Sequence, residues 1–192
     1  MMIEDGTFFR AAGLSTVLAV IALVIAAITL GLFFGGAGQW WGPVNDVFTA
    51  ILMFALILPI LATDRIVGPE AGLWVRVVTV AAVAGAVLAG VGQLLLVLGV
   101  IDLQTSFITG GLGFLPVLVW IGALIVVAGP LGLLPAAIAW SAAAAIALIV
   151  VGAVITSIST GPLAWVAWLA VVLALGLWMA SLASTFLARV TT

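Results

Sequence analysis

Four residue types are missing from this chain of 192 residues, which contains no lysine, histidine, cysteine or tyrosine. Without lysine there is no Schiff base to retinal or pyridoxal phosphate. Without histidine there is no histidine-ligated haem or metal and no Ser-His-Asp triad, and without cysteine there is no disulfide, iron–sulfur cluster or thiol nucleophile. We therefore expect no cofactor and no metal. An enzyme is disfavoured, although chemistry by carboxylates, arginines and hydroxyls stays open.

Charge is equally scarce. Charged residues make up 5% of the chain and hydrophobic residues 67%, whereas a typical soluble domain is about 25% charged. Residues 103–188 contain no Asp, Glu, Lys or Arg at all. Such a stretch belongs in lipid rather than at a water-exposed surface, so the bilayer is the first expected partner. The net charge of −2 and the lack of a basic cluster argue against nucleic acid.

Apolar runs long enough to cross a bilayer recur along the whole chain, each near the roughly 20 residues that a spanning helix needs. The predicted spans cover residues 9–34, 45–63, 70–100, 106–128, 135–157 and 163–188. These runs predict an all-α fold, a polytopic transmembrane helical bundle of six spans. We expect it to form a single integral membrane domain over residues 1–192.

Capping residues predict the bounds of the second and third spans. Asn45 or Asp46 is the expected N-cap of the second span. The Asp-Arg pair at 64–65 is expected to end it. The Pro-Glu pair at 69–70 is expected to open the third span, because proline and an acidic residue favour a first helical turn.

The fourth span has two interpretations. Its first half contains Gly110, Gly111, Gly113 and Pro116, all residues that weaken a helix. It is either a full span or a broken, re-entrant segment, which would give five spans plus a re-entrant piece.

The arginines predict an orientation. With six spans and a cytoplasmic N-terminus, Asp46 and Asp102 lie outside, and all four arginines lie inside, as the positive-inside rule requires. These are Arg10, Arg65, Arg76 and Arg189. Both termini are then expected in the cytoplasm, with the prokaryotic plasma membrane as the expected location.

Small residues recur at helical spacing on several spans. Such faces favour close helix packing, either within the bundle or against a protein partner or a second copy of the chain. The first span carries Ala12, Ser15, Ala19, Ala22, Ala26 and Thr29; the third Gly85, Gly92 and Gly99; the last Gly176, Ala180, Ser184 and Ala188.

A few polar and aromatic positions are candidate ligand or substrate contacts. They are Gln39, Trp40, Trp41, Asn45, Asp46, Gln93 and Asp102. Interface anchoring and helix capping explain most of them, and the alternative is a small ligand or cation site. Arg65 and Arg76 are candidate contacts to lipid headgroups on the inner face.

Three functions follow from these features. The first is an accessory or partner-binding membrane subunit without catalysis. The second is a small transporter or channel that uses Asn45, Asp46 and Gln93. The third is a binder of an apolar cofactor or lipid, for which the eight tryptophans would supply a lining.

Overall fold

The computed structural model describes residues 2–159 and 161–190, with side chains described from residue 6 onward, and contains only helices over these residues. The helices are α1 (Met2–Phe34), α2 (Trp41–Ala55), α3 (Ile57–Ala71), α4 (Leu73–Val97), α5 (Leu103–Ala128), α6 (Ala136–Ile158) and α7 (Pro162–Ala188). Helices α2 and α3 follow one another as one apolar run of 31 residues, so six segments are long and apolar enough to cross a membrane. The predicted all-α bundle of six spans is confirmed.

The six spans form a ring in chain order. Helix α1 packs on α2 and α3, these pack on α4, and α4 packs on α5; α6 then packs between α5 and α7. Helix α7 returns to α1 and closes the ring. Short connections between antiparallel helices favour this arrangement of sequential neighbours.

All four arginines lie at one end of the bundle, the arginine end. The guanidinium of Arg65 on α3 lies 5.1 Å from the ring centre of Phe8, and that of Arg189 lies 5.9 Å from the ring centre of Phe9. Phe9 in turn stacks on Phe186 of α7, with ring centres 6.5 Å apart. These cation–π and aromatic contacts join the first part of α1 to α3 and to the end of α7.

Exposed tryptophans mark both ends of the bundle. Trp74 and Trp140 lie near the arginine end, at the starts of α4 and α6, whereas Trp40 and Trp165 lie at the opposite end, the far end. Tryptophan is enriched at both surfaces of a bilayer, so this distribution fits a membrane-spanning orientation of the helices.

The predicted bounds of the second span are wrong at both ends. Helix α2 already begins at Trp41, so Asn45 and Asp46 lie inside the helix and do not cap it. Helix α3 continues through Asp64 and Arg65 to Ala71. The charged pair does not stop the helix because it lies near the membrane surface, where Asp64 accepts a hydrogen bond of 3.3 Å from the hydroxyl of Thr79.

The third span begins later than predicted. Pro69 and Glu70 belong to the last turn of α3 rather than to the first turn of α4. The break falls at Gly72, whose φ of +83° is a left-handed conformation that glycine adopts without steric cost. The glycine, rather than the proline, therefore separates the two helices.

A proline explains why the second span is divided at Leu56. Pro59 has no N–H, so the carbonyl oxygen of Ala55 four residues earlier lacks its helical partner. The hydroxyl of Ser15 on α1 donates a hydrogen bond of 2.7 Å to this oxygen. A neighbouring helix thus satisfies the carbonyl that the proline leaves open, as hydrocarbon surroundings require.

The fourth span is one continuous helix, and the re-entrant alternative is contradicted. Helix α5 runs from Leu103 to Ala128 with Pro116 inside it. A methyl group added at Gly113 would lie 2.5 Å from the carbonyl oxygen of Gly85 and 2.8 Å from Cβ of Ala89 on α4. The glycines of this segment therefore permit close approach of two helix backbones rather than breaking the helix.

Most of the helix faces that carry small residues pack inside the bundle. On α1, Ala12, Ala19, Ala22, Ala26 and Thr29 are buried. On α4, Gly85 and Gly92 are buried against α5, whereas Gly99 lies past the helix end with a φ of +68°. The small face of α7 differs from these, since Ala180, Ser184 and Ala188 are exposed.

We predict that Ser15→Ala destabilises the bundle by about 1 kcal/mol, the usual size of an interhelical hydrogen bond in a membrane. The Ala55 carbonyl then has no donor from α1. Ser181→Ala is the matched control, because Ser181 donates to Leu177 of its own helix. Thermal unfolding in detergent measures the difference, and equal stabilities of the two variants would contradict the role of Ser15.

Gly113→Ala should destabilise the contact between α4 and α5 by about 1–3 kcal/mol, because the new methyl group overlaps the α4 backbone. Gly111→Ala on the same helix is the control, since a methyl group there meets nothing within 4 Å. The control should unfold at the wild-type temperature or slightly above it. A Gly113→Ala variant as stable as the control would show that the helices are not packed this closely.

Candidate functional site in the far half of the bundle

The interior of the half nearest the arginine end is filled by large side chains, and a groove of 690 Å³ lies beside it between the start of α6 and the end of α7. Trp120 of α5 and Trp178 of α7 meet across the ring, edge to face, with ring centres 5.5 Å apart. Both are almost completely buried, at 2% and 1% exposure. Fully buried neighbours complete this core: Ile60, Leu124, Ile138, Met179, Leu182 and Phe186.

In the far half, the side formed by α2, α4 and α5 is also closely packed. The ring of Phe54 lies against Gly90. A methyl group added at Gly90 would be 2.9 Å from the nearest carbon of this ring. The hydroxyl oxygen of Thr109 lies closer still to Gly92, 2.5 Å from the position of an added methyl group. Side chains from α2 and α5 thus occupy the surface that glycines open on α4.

The other side of the far half, formed by α1, α6 and α7 with part of α2, is open. Three cavities of 720, 520 and 170 Å³ lie here, and the side chain of Trp168 lines all of them. Since they adjoin one another at this residue, we name them together the far-end chamber.

The largest cavity is a groove between α1 and α7. Its wall includes Ala27 and Gly31 of α1, Gly35 directly after α1, and Trp165 and Leu169 of α7. An added methyl group at Gly31 would find its nearest neighbour, Trp165, at 4.0 Å. Small residues on α1 therefore leave a gap that the α7 side chains do not fill.

The same two helices are in close contact nearer the arginine end. There the side chain of Leu187 packs directly on Gly13, 2.7 Å from the position of an added methyl group. Towards the far end, the groove lies between α1 and α7 and is open towards the surrounding lipid.

Two smaller cavities add polar groups to this apolar groove. The smallest lies inside the ring, where Asn45 and Thr49 of α2 meet Trp168. The other lies where the groove reaches the far end of the bundle, and it is lined by Thr156 and Ser159 at the end of α6. We name this opening the outer mouth. The described lining of all three cavities contains no charged side chain.

Two of the three amides predicted as ligand contacts, Asn45 and Gln93, form separate contacts between helices. Asn45 donates a hydrogen bond of 2.7 Å to the carbonyl oxygen of Ala26 and so joins α2 to α1. Gln93 donates a bond of 3.4 Å to the hydroxyl of Ser106 and joins α4 to α5. Of these two amides, Asn45 also lines the far-end chamber.

The remaining far-end candidates lie at the surface or within α2. Gln39 and Trp40 are exposed, and Trp40 packs on Trp41 with ring centres 3.6 Å apart. Asp46 is half-buried in the second turn of α2.

Asp102 caps α5, because its carboxylate accepts a hydrogen bond of 2.7 Å from the backbone N–H of Thr105. Hydrogen bonding to Thr105, through its side chain and its backbone, holds the pKa of the Asp102 carboxyl below its usual value. The side chain is exposed, so the cap faces the water at the membrane surface.

The two arginines expected to contact headgroups are both exposed at the arginine end. Arg76 lies in the first turn of α4, and Arg65 lies over Phe8 as described above. Their positions suit contact with the membrane surface, but they belong to different helices and do not form a dense basic cluster.

Sequence reasoning did not single out the residues that define the chamber. Trp165 and Trp168 were counted only among the eight tryptophans, and Gly31 only as part of an apolar run. The one sequence signal for this surface is the spacing of Ala27, Gly31 and Gly35. These small residues recur every four positions at the end of α1 and directly after it, and so lie on one face. Nothing in the sequence alone showed that α7 would face this surface with aromatic rings.

The arrangement is suited to binding rather than to covalent chemistry. Among the described residues, no group of three or more His, Cys, Asp or Glu is placed to hold a metal ion. The chamber offers apolar walls, two indole rings and a few neutral hydrogen-bonding groups, which are the usual components of a small-molecule site.

Comparison with known proteins identifies no relative: no family model, no curated protein and no solved structure matches the chain.

Asp102 provides a pH prediction. Because its folded-state pKa is lowered, its contribution to stability is present above the pKa of the unfolded chain and is lost as the pH falls through the folded-state pKa. Asp102→Ala should lower the unfolding temperature slightly at neutral pH and much less at pH values well below the ordinary carboxyl pKa. Unfolding curves of both proteins across this range test the cap, and a difference that does not depend on pH would contradict it.

Proposed function

We propose that the protein binds an apolar molecule of the bilayer in the far-end chamber. The observation that carries this proposal is that three cavities without a charged side chain in their described lining meet at Trp168. A separate cavity of 690 Å³ between α6 and α7 at the arginine end differs from them, because Arg189 is part of its lining. The two larger cavities of the chamber, at 720 and 520 Å³, have the size of small-molecule sites, which are about 300–1,000 Å³.

The physical source of selectivity differs from that of a soluble binding protein. Lipid tails are as apolar as the groove, so transfer of a ligand from the bilayer gains little from the hydrophobic effect. Shape, stacking on Trp165 and Trp168, and hydrogen bonds to the few polar groups must therefore distinguish the ligand from ordinary lipid.

We further propose that the arginine end faces the cytoplasm and the chamber faces the outside of a prokaryotic plasma membrane. The grouping of all four arginines at one end supports this orientation through the positive-inside rule. Both chain termini then lie in the cytoplasm, and the chamber opens within the outer leaflet.

Assembly with another membrane protein, or with a second copy, is a second candidate function. One observation favours it: the small face of α7 at Ala180, Ser184 and Ala188 is exposed, unlike the small face of α1. A methyl group added at Gly176 on the same face meets nothing within 4 Å. Such a face permits close approach of another helix.

The transport hypothesis finds no support in the hydrogen bonds of its key residues. It required Asn45, Asp46 and Gln93 to line a shared polar path, whereas the two amides each stabilise a different pair of helices. A path for ions or polar solutes normally contains convergent polar or ionisable groups within the membrane.

A chamber-filling substitution tests the proposed function. Gly31→Leu should place its side chain in the groove between α1 and α7 and displace the ligand. Purification in a mild detergent, followed by solvent extraction and mass spectrometry, should recover a specific apolar molecule near one per wild-type protein and about tenfold less from the variant.

The matched control is Gly111→Leu, at an exposed position of α5 where an added methyl group meets nothing within 4 Å. It should retain the ligand at the wild-type level. Equal recovery from Gly31→Leu and wild type, or recovery of only bulk lipid from every protein, would contradict binding in the chamber.

A further inference from the structure

Resting on the proposed function, we infer that the ligand is a single-chain lipid with an uncharged polar end, such as a long-chain alcohol. Its chain lies in the groove between α1 and α7, and its polar end lies at the outer mouth beside Thr156 and Ser159. Three features support this assignment: the neutral side chains of the described lining, the placement of the hydrogen-bonding groups, and the shape of the groove.

The lining selects against a charged polar end. Its described polar side chains, apart from the two indoles, are Asn45, Thr49, Thr156 and Ser159, all of them neutral. The arginines lie at the opposite end of the bundle. A carboxylate or phosphate at the mouth would find neutral hydrogen-bonding groups but no cation in the described lining, so it would gain no ion pair there.

The mouth contains both a hydrogen-bond acceptor and a hydrogen-bond donor for the hydroxyl group of a ligand. The hydroxyl of Thr156 donates within its own helix to the carbonyl oxygen of Gly152 at 2.9 Å, which leaves its oxygen to accept a hydrogen bond. Ser159 Oγ accepts from the backbone N–H of Gly161 at 3.4 Å, and a hydroxyl group that accepts one hydrogen bond can still donate its own proton. An alcohol both donates and accepts, so it matches this pair.

The position of the mouth explains why the polar end lies there. Ser159 follows the end of α6, and Phe34, which lines both larger cavities, is the last residue of α1. The mouth is therefore at the depth of the membrane surface, and the groove extends from it towards the middle of the bilayer. A single chain follows this direction beside Trp168, with its hydroxyl group at the level of the lipid headgroups.

The shape of the groove also indicates the route of entry. The groove is lined on both sides by exposed residues such as Ile28 and Leu173, so it opens sideways into the bilayer. Trp165, at 39% exposure, lies at this opening. A lipid already inserted in the outer leaflet reaches the chamber without moving its polar end through hydrocarbon.

Tryptophan quenching by two matched probes tests the inference. The probes are a long-chain alcohol with bromine at its chain end and the phosphate monoester of the same alcohol, titrated into the purified full chain in detergent micelles. The alcohol should quench with saturation and with a Kd at least about tenfold below that of the phosphate ester. Trp168→Phe should reduce the amplitude, since this residue lines all three cavities.

Variants at the mouth test the position of the polar end. Ser159→Ala and Thr156→Val should each weaken binding of the alcohol several-fold. Ser157→Ala is the control, because Ser157 donates to Val154 of its own helix and does not line the chamber. Its Kd should equal that of wild type.

The outcomes separate the inference from the proposed function. Saturable quenching by both probes, with the phosphate ester equal or tighter, overturns the neutral polar end while leaving binding in the chamber intact. Unchanged affinity in Ser159→Ala and Thr156→Val overturns the placement at the mouth. Quenching that rises in proportion to concentration for both probes overturns the proposed function itself, because it reports partition into the micelle alone.

Discussion

The whole structure depends on one constraint: in hydrocarbon, helices do not attract each other by the hydrophobic effect, and no water pairs with a polar group that they leave open. The bundle meets most of this constraint with small residues and a few hydrogen bonds between helices; among the described residues, the buried indole N–H groups of Trp120 and Trp178 are left without a hydrogen-bond partner. Ser15 satisfies the carbonyl that Pro59 releases, Asn45 joins α2 to α1, and Gln93 joins α4 to α5. Where these contacts are dense, helices pack closely; where α1 carries small residues without a close partner on α7, a chamber remains.

This unequal packing links the fold to the proposed activity. The half near the arginine end is held by the pair of Trp120 and Trp178 and by cation–π contacts to Phe8 and Phe9. Beyond this interior, the groove between α1 and α7 opens towards the far end. A groove that opens sideways into lipid suits a molecule that is already dissolved in the membrane, and its neutral lining selects by shape and hydrogen bonding rather than by charge.

The sequence was sufficient for the membrane class, the six spans and the grouping of the arginines, because composition, run length and charge position determine these properties. It was misleading at residues 64–70, where charge and proline indicated a loop but Gly72 alone ends the helix. It was ambiguous at residues 109–116, where glycines that look like helix breakers bring α5 close to α4. The chamber was not predictable, since it depends on which face of α7 meets α1, and the hydropathy of a uniformly apolar helix does not encode that rotation.

The most direct measurement of the central claim is an experimental structure of the chain in a lipid nanodisc. We expect elongated non-protein density between α1 and α7, beginning beside Ser159 and passing Trp168. The interior around Trp120 and Trp178 should contain protein alone. Helices α1 and α7 in contact along their whole length, with Trp168 packed directly against Ala27 and Gly31, would contradict it.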